Sequence, residues 1–254
     1  MARERALVTG ASGGLGLEFA RLLAADGCDL VLVARSGDKL ERAASELKAA
    51  HGVAVETLSL DLGTLDAAAR VFERVPECDV LVNNAGFASN GRFDQLEPAR
   101  IREEVLLDVL TLTELTRAYL PGMRARGRGR VLNVASTAGF LPGPGMAVYY
   151  ASKAYVVSFS QAVAYELRGS GVTLTCFCPG ATATGFAQRA GMQATRLFKL
   201  QVAQAAPTAR AGYRAMRAGK DLCVPGLSNK FVALSARLTP RSLLVAVSGK
   251  MVET

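Results

Sequence analysis

The feature that most limits what this chain can fold into is a recurrence of short runs rich in apolar and β-branched residues, separated by helix-length stretches. The runs stand at Ala6 to Val8, Leu30 to Ala34, Val53 to Leu60, Val80 to Val82, Val131 to Val134, Val172 to Cys178 and Leu222 to Val224. A strand that is apolar on both sides has to be covered on both sides, and a helix-length connection brings the chain back in the same direction. About seven strands joined by right-handed crossovers therefore predict an α/β fold, a doubly wound parallel sheet with helices on both faces. The alternation runs almost to the end of the 254 residues, so one domain over 1–254 is expected.

Two helices should be long, roughly Pro98 to Arg126 and Met146 to Gly169. Residues 185–206 hold scattered apolar side chains with no partner strand and read as a mobile substrate lid, followed by a helix after Pro207. In the tail, 227–254, Phe231, Val232, Leu234 and Leu238, then Leu243, Leu244, Val247 and Met251, fall at helical spacing, with Lys230, Arg237, Arg241 and Lys250 among them. Packing onto the domain or a second subunit is the expected use of that face; rest on a membrane surface is the alternative. Residues 131–152 carry no charge, yet Asn133, Pro142, Pro144 and several glycines rule out a membrane span and fit a strand, an active-site loop and a helix start.

Between the first strand and the first helix the sequence reads Thr9-Gly-Ala-Ser-Gly-Gly-Leu-Gly16. A loop that lacks side chains lets backbone N–H groups and a helix N-terminus close on a pyrophosphate, which makes the sheet Rossmann-type and Gly10, Ser12, Gly14, Leu15 and Gly16 candidate cofactor residues. An NAD site usually carries a carboxylate at the end of the second strand for the ribose 2′-hydroxyl. Here that place reads Ala34-Arg35-Ser36. A guanidinium pairs with a 2′-phosphate instead, so NADP(H) is the expected cofactor and Arg35 its discriminator.

Tyr149 and Lys153 stand four residues apart and share one helix face, with Ser136 on the loop that leaves the fifth strand. A free phenol titrates near pH 10, so acid–base work near neutrality asks for a downward shift of about three units, or about 4 kcal/mol. Lys153, together with the positive nicotinamide of an oxidised cofactor, supplies charge of the right sign. Ser136 can hold a substrate oxygen by hydrogen bond as charge develops on it. A proton donor, a cation to tune it and a phosphate cradle imply carbonyl chemistry.

With these motifs in order along nearly the whole length, the chain resembles a short-chain dehydrogenase/reductase. Thr9 to Gly16 matches that family's T-G-x-x-x-G-x-G loop, and Asn83-Asn-Ala-Gly86 its N-N-A-G beside the nicotinamide. The resemblance makes Ser136, Tyr149 and Lys153 catalytic, and places Asp61, Leu62, Asn83, Ala85, Gly86, Pro179, Gly180, Thr182 and Thr184 at the cofactor with Tyr149 and Lys153. By the same resemblance Tyr150 is not the acid and points to another helix face. One position departs from the pattern: the family's usual L-N-V reads Leu107-Asp-Val109, which puts a carboxylate, Asp108, where an asparagine helps order the proton path to the lysine. In that family the asparagine acts largely through its backbone carbonyl, so an aspartate either preserves the relay or, by its added carboxylate, alters the lysine's protonation; activity is expected to survive because Ser136, Tyr149 and Lys153 are all present.

Positions that line the family's substrate cleft are here Phe87, Phe140, Leu141, Met146 and Phe186, with Ser136. They are apolar, which implies a hydrophobic ketone, aldehyde or secondary alcohol. A 3-oxoacyl-thioester reductase is a narrower reading, with an acidic carrier drawn to Arg124-Ala-Arg-Gly-Arg-Gly-Arg130, a run whose plain reading is a solvated connection. A redox sensor or scaffold built on the nucleotide fold is the non-enzyme reading. The resemblance also implies a homodimer or homotetramer through the two long helices.

The net charge of +8 biases the chain toward anions, but no nucleic-acid motif with interleaved aromatics accompanies it. Five scattered cysteines read as reduced thiols, and the N-terminus has no room for the apolar core of a signal peptide, so a cytoplasmic location is expected. The single histidine, His51, reads as a solvated helix end, and no metal site is expected.

Overall fold

A computed structural model describes residues 3–186, 190 and 202–252. The strands are β1 (Arg5–Thr9), β2 (Asp29–Ala34), β3 (Val55–Ser59), β4 (Val80–Asn83), β5 (Gly129–Val134), β6 (Val172–Phe177), the short β7 (Thr182–Ala183) and β8 (Ala203–Gln204), and β9 (Leu222–Cys223). The helices are α1 (Gly14–Ala25), α2 (Gly37–His51), α3 (Ala67–Arg74), α4 (Pro98–Val105), α5 (Leu112–Ala125), α6 (Ala147–Glu166), α7 (Ala205–Arg217), α8 (Leu227–Leu238) and α9 (Arg241–Val252). Seven strands form one parallel sheet in the order β3-β2-β1-β4-β5-β6-β9, with β1 in register with β2 on one side and β4 on the other.

Alternation along each strand builds the two faces. Ala6, Val8, Leu30, Leu32, Val80 and Val82 pack under α1, α2 and α7 with Phe19, Leu23, Leu40, Leu47 and Met216. Their neighbours Leu7, Val31, Val33, Leu81 and Val131 pack on the opposite side against α3, α5 and α6, with Val71, Leu115, Tyr119 and Ala164. Chain order reverses outward from β1 and β4, and a crevice opens at the carboxyl ends of such a pair.

Three local features differ from the sequence reading. The first long helix is interrupted by a π-helical turn, Leu106–Thr111, between α4 and α5. The segment from 185 does have a partner strand, since β8 pairs in parallel with β7, and α7 begins before Pro207 with that proline in its first turn, where its missing N–H costs nothing. Most of the expected lid, 187–189 and 191–201, lies outside the described residues.

The basic run is largely neutralised in place: Arg126 meets Glu77 at 2.8 Å, Arg128 meets Asp79 at 3.6 Å and Arg130 meets Glu4 at 2.9 Å. The five cysteines are free thiols, and His51 is exposed at the last position of α2. Among the described residues no helix is long and apolar enough to cross a membrane, and no cluster of ligating side chains stands ready for a metal.

Candidate active site

A cavity of about 740 Å³ opens at the carboxyl ends of β1, β4 and β5. Its floor is the glycine loop with Asn84, Ala85 and Gly86; one wall carries Ser136, Tyr149 and Lys153, and another carries Pro179, Gly180, Thr182 and Thr184. Gly10 has φ +67°, and a Cβ there would fall 2.7 Å from Asn84 Nδ2. At Gly16 a Cβ would fall 2.3 Å from the Gly10 carbonyl oxygen, so only glycine lets α1 start this close to β1. The result is an uncluttered backbone cradle at a helix N-terminus, the shape and polarity a dinucleotide pyrophosphate needs. Asn84, which the sequence reading did not single out from its motif, braces it by donating to Thr9 O at 2.9 Å.

Asn83 itself turns inward. Its amide donates to Asn133 Oδ1 at 2.9 Å and Thr116 Oγ1 at 3.1 Å, tying β4 to β5 and α5. Ser12, Leu62, Asp61 and Arg35 also stand away from the cavity lining. The Leu62 carbonyl accepts from Thr111, and Asp61 accepts from Gly63 N at 2.9 Å. Arg35 leaves the tip of β2 as expected, but its guanidinium pairs with Glu103 at 3.0 Å.

Ser136 caps the short 3₁₀ turn Thr137–Phe140: its hydroxyl accepts from Ala138 N at 3.1 Å and donates to Pro179 O at 3.4 Å. Tyr149 and Lys153 lie in the first two turns of α6, buried, with the ammonium 5.5 Å from the phenol ring centroid. Lys153 Nζ also donates to Val134 O at 3.4 Å and pairs with Asp108 Oδ2 at 3.0 Å. Asp108 therefore meets Lys153 through its side chain. It comes from the π-helical turn, is 1% exposed, and accepts from Phe87 N at 3.2 Å. Gly86 makes room for the pair, since a Cβ there would lie 2.9 Å from Asp108 Oδ1 and 3.3 Å from Lys153 Nζ.

Charge follows from this packing. Burial pushes the Tyr149 phenol up; Lys153 pulls it down and the Asp108 charge pushes it back, with a net upward result. Without a cofactor the phenol does not show the downward shift that acid–base work asks for, because burial outweighs the pull of Lys153 and the Asp108 charge adds to it. Lys153 loses charge preference by burial but is held up by Asp108, so it stays an ammonium. Burial likewise pushes Asp108 up against the pull of Lys153.

One turn before Asp108 stands Glu104, 0% exposed, which sequence reasoning missed. Its carboxyl accepts from Ser89 N at 3.0 Å, and burial pushes it up to about 7. The signal was there: residues 104, 108, 112 and 115 form one helical stripe that continues into the buried Leu112 and Leu115.

On the substrate side Leu141, Met146 and Phe186 line the cavity, whereas Phe87 and Phe140 do not. Phe87 is buried beneath the Arg100 guanidinium, 4.0 Å from its ring centroid, and Phe140 packs among Leu112, Ala135 and Val157. Tyr150 does line the cavity, contrary to expectation, because the bare Gly143 leaves a slot for its ring. The tail closes the far side through Val232, Ser235, Leu244 and Val247.

The family model described as short chain dehydrogenase matches residues 4–194. A curated relative, a ketoacyl reductase of Nostoc sp., is 38% identical over 68% of this chain, and the match spans 62% of that protein. The chain thus spans less than two thirds of the length of the curated relatives it matches first. Among solved structures, a short-chain dehydrogenase from Sphingobium yanoikuyae in complex with NADPH superposes with a TM-score of 0.84 at 34% identity, covering 92% of this chain and 93% of that one. A bulky-bulky ketone specific alcohol dehydrogenase from Comamonas testosteroni gives a TM-score of 0.81 at 28% identity, covering 94% and 93%.

Proposed function

The chain belongs to the short-chain dehydrogenase/reductase family, and from that premise we propose that this oxidoreductase moves a hydride between NADP(H) and a hydrophobic ketone or aldehyde, with Tyr149 as general acid. The observation that carries the reading is the apolar lining of Leu141, Met146, Phe186 and Val232 in the same cavity as Ser136, Tyr149 and Lys153, with the Phe186 ring 5.4 Å from that of Tyr149. The glycine cradle fits a nicotinamide dinucleotide, and Arg35 at the tip of β2, with no carboxylate of its own strand beside it, supports the phosphorylated form. Glu103 is the partner that a 2′-phosphate has to displace. An NADPH-bound neighbour of the same fold agrees with that choice.

When bound, the nicotinamide supplies or accepts the hydride. The chain's own residues do the rest. Ser136, its hydroxyl oriented by the 3₁₀ cap, holds the carbonyl oxygen. Tyr149, kept protonated by burial, gives that oxygen its proton as the alkoxide forms. Lys153 stabilises the phenolate left behind, and the enclosed apolar walls strengthen each of these interactions by excluding water. A phenol that starts protonated suits reduction.

A second reading, reduction of a 3-oxoacyl thioester, is favoured by the name of the Nostoc relative. Its carrier-docking argument is weakened by the ion pairs that already occupy Arg126, Arg128 and Arg130. Assembly as a homodimer or homotetramer is supported by an apolar patch along the two long helices, in which Val105 and Tyr155 are exposed and Val109 and Val148 half-buried.

NADPH oxidation followed against a panel of hydrophobic ketones, aldehydes and 3-oxoacyl thioesters, then repeated with NADH, tests the reading. Tyr149→Phe is expected to lose more than about a thousandfold in turnover, within the reach of lost acid catalysis, while NADPH binding persists. Turnover retained in that variant, or an NADH preference above about tenfold, overturns the assignment.

A further inference from the structure

Glu104 is a fully buried ionisable group beside the site that the mechanism above does not use. We propose that Glu104 is stored as a neutral carboxylic acid and is a positioning residue: by gaining or losing its proton it sets the charge that faces Lys153 and so the pH range in which Tyr149 exchanges its own. The proposal rests on the assignment of Tyr149 and Lys153 given above.

Geometry carries the first half. The Glu104 side chain has no solvent exposure, and among the described residues it takes part in no ion pair. The nearest cation on its own helix, Arg100, is engaged elsewhere, over the Phe87 ring at 4.0 Å and with Glu103 at 3.8 Å. A carboxylate without a counter-ion in such surroundings takes up a proton. Its two oxygens divide the work accordingly. Oε2 accepts from Ser89 N at 3.0 Å, as a carbonyl oxygen does, and Oε1 has no partner, which leaves it as the oxygen that carries the proton.

Placement carries the second half. Glu104 and Asp108 grip the same short segment, one through Ser89 N and the other through Phe87 N at 3.2 Å. The π-helical turn that starts at Leu106 carries Asp108 to Lys153, at 3.0 Å. The charged or titratable groups that bear on Glu104 are Arg100 behind it, Asp108 ahead of it, and Tyr149 and Lys153 from α6; the segment Phe87–Ser89 contributes none. With Glu104 neutral, Asp108 and Lys153 balance each other. Ionised, Glu104 adds a second negative charge, which raises both Lys153 and Tyr149 and holds the phenol in its protonated form. No bond other than O–H is made or broken: the proton leaves Glu104 for solvent as pH rises and returns as it falls.

The sign of the effect follows. Alcohol oxidation needs the phenolate, so the ionised Glu104 of the wild type delays its rise to higher pH; Gln mimics the neutral acid at every pH. Glu104→Gln should keep reduction at pH 6 within about twofold of wild type and should move the alkaline rise of kcat/KM for oxidation down by about one pH unit, the effect of removing one nearby charge. The substrate is the hydrophobic carbonyl–alcohol pair that the wild type turns over with NADP(H). Infrared difference spectra of the protein taken across pH 5 to 9 give a readout that needs no turnover. A buried carboxylic-acid C=O band should be present in the wild type, retained in Asp108→Asn and absent in Glu104→Gln. Glu104→Asp, which keeps the acid, should restore the wild-type profile if Glu104→Gln folds poorly. A band that persists in Glu104→Gln, or pH profiles that superimpose, overturns the proposal. Absence of any carbonyl turnover together with an intact band instead overturns the assignment of Tyr149.

Discussion

At the scale of single residues, the site turns on how a buried cation is shared. Lys153 stands between a phenol that it should ionise and a carboxylate that it has to neutralise, and Asp108 is the closer of the two. Asp108→Asn keeps an acceptor for Phe87 N but removes the charge, so Lys153 loses the partner that holds it up and Tyr149 loses a charge that pushes it up. The expected outcome is a pH profile of oxidation displaced to lower pH, with reductive turnover changed by less than about tenfold, or about 1.4 kcal/mol. A several-hundred-fold gain in turnover would show instead that the natural carboxylate cripples the site. Glu104 adds a stability signature of its own. Its folded-state value of about 7 lies above the ordinary 4.5, so the folded chain binds the proton more tightly than the unfolded one. The stabilisation is complete below pH 4.5, declines as pH rises, and is lost above pH 7, about 3 kcal/mol in all. Glu104→Gln should flatten this decline, measured as denaturant midpoints from pH 5 to 8, and should be the more stable protein at pH 8.

At the scale of elements, the glycine loop and the long helices were legible to different depths. The loop could be read because strand, turn and helix start are each fixed by short-range chemistry. Gly16 gives a direct test: in Gly16→Ala the new Cβ meets the Gly10 carbonyl, so the loop must move and NADPH binding, followed by its fluorescence, should weaken by more than about tenfold. The strands were found for a similar reason, since runs such as Leu30 to Ala34 are apolar whichever face they present. The long helix was found, but its π-helical turn was not, because one extra residue in a turn leaves the apolar pattern of Leu106, Leu107 and Val109 nearly intact. Glu104 was lost for a related reason. A glutamate beside Glu103 and Arg102 reads as solvent-facing, and only the buried stripe it shares with Asp108 and Leu112 says otherwise. Phe87 and Phe140 lie outside the cavity lining, since an aromatic near a site can as well support it from behind. The phenol's upward shift was missed because it depends first on how deeply the ring is buried and then on the carboxylate that another element brings to Lys153, neither of which a local pattern encodes.

At the scale of the whole molecule, the proposed function divides the chain into a sheet that carries the chemistry and later segments that carry the selectivity. The glycine loop, Ser136, Tyr149 and Lys153 come from β1 through α6, whereas part of the apolar cavity lining comes from α8 and α9, the segments that lie beyond the family match at residue 194. Such a division lets one reaction serve different substrates as the tail varies. The exposed row Leu227, Phe231, Leu234 and Leu238 on α8 does not touch this wall, and Leu238, 79% exposed, can become Ser with a stability change under about 0.5 kcal/mol. The proposed subunit contact uses other residues, on α4 and α6. Tyr155 is 40% exposed on α6 beside Val105 and Val148, so Tyr155→Glu should shift the mass seen by light scattering toward the monomer. Val232 discriminates between the two functions of the tail, because its side chain enters the cavity from α8 while Ser136 and Tyr149 stand on other elements. In Val232→Trp the added ring takes up space where a large substrate has to lie but leaves the proton donor in place. KM for the bulkiest ketones accepted should rise about tenfold, or about 1.4 kcal/mol of lost binding, with kcat on small ketones unchanged. If kcat on small ketones falls instead, α8 contributes to the chemistry itself and not to substrate choice.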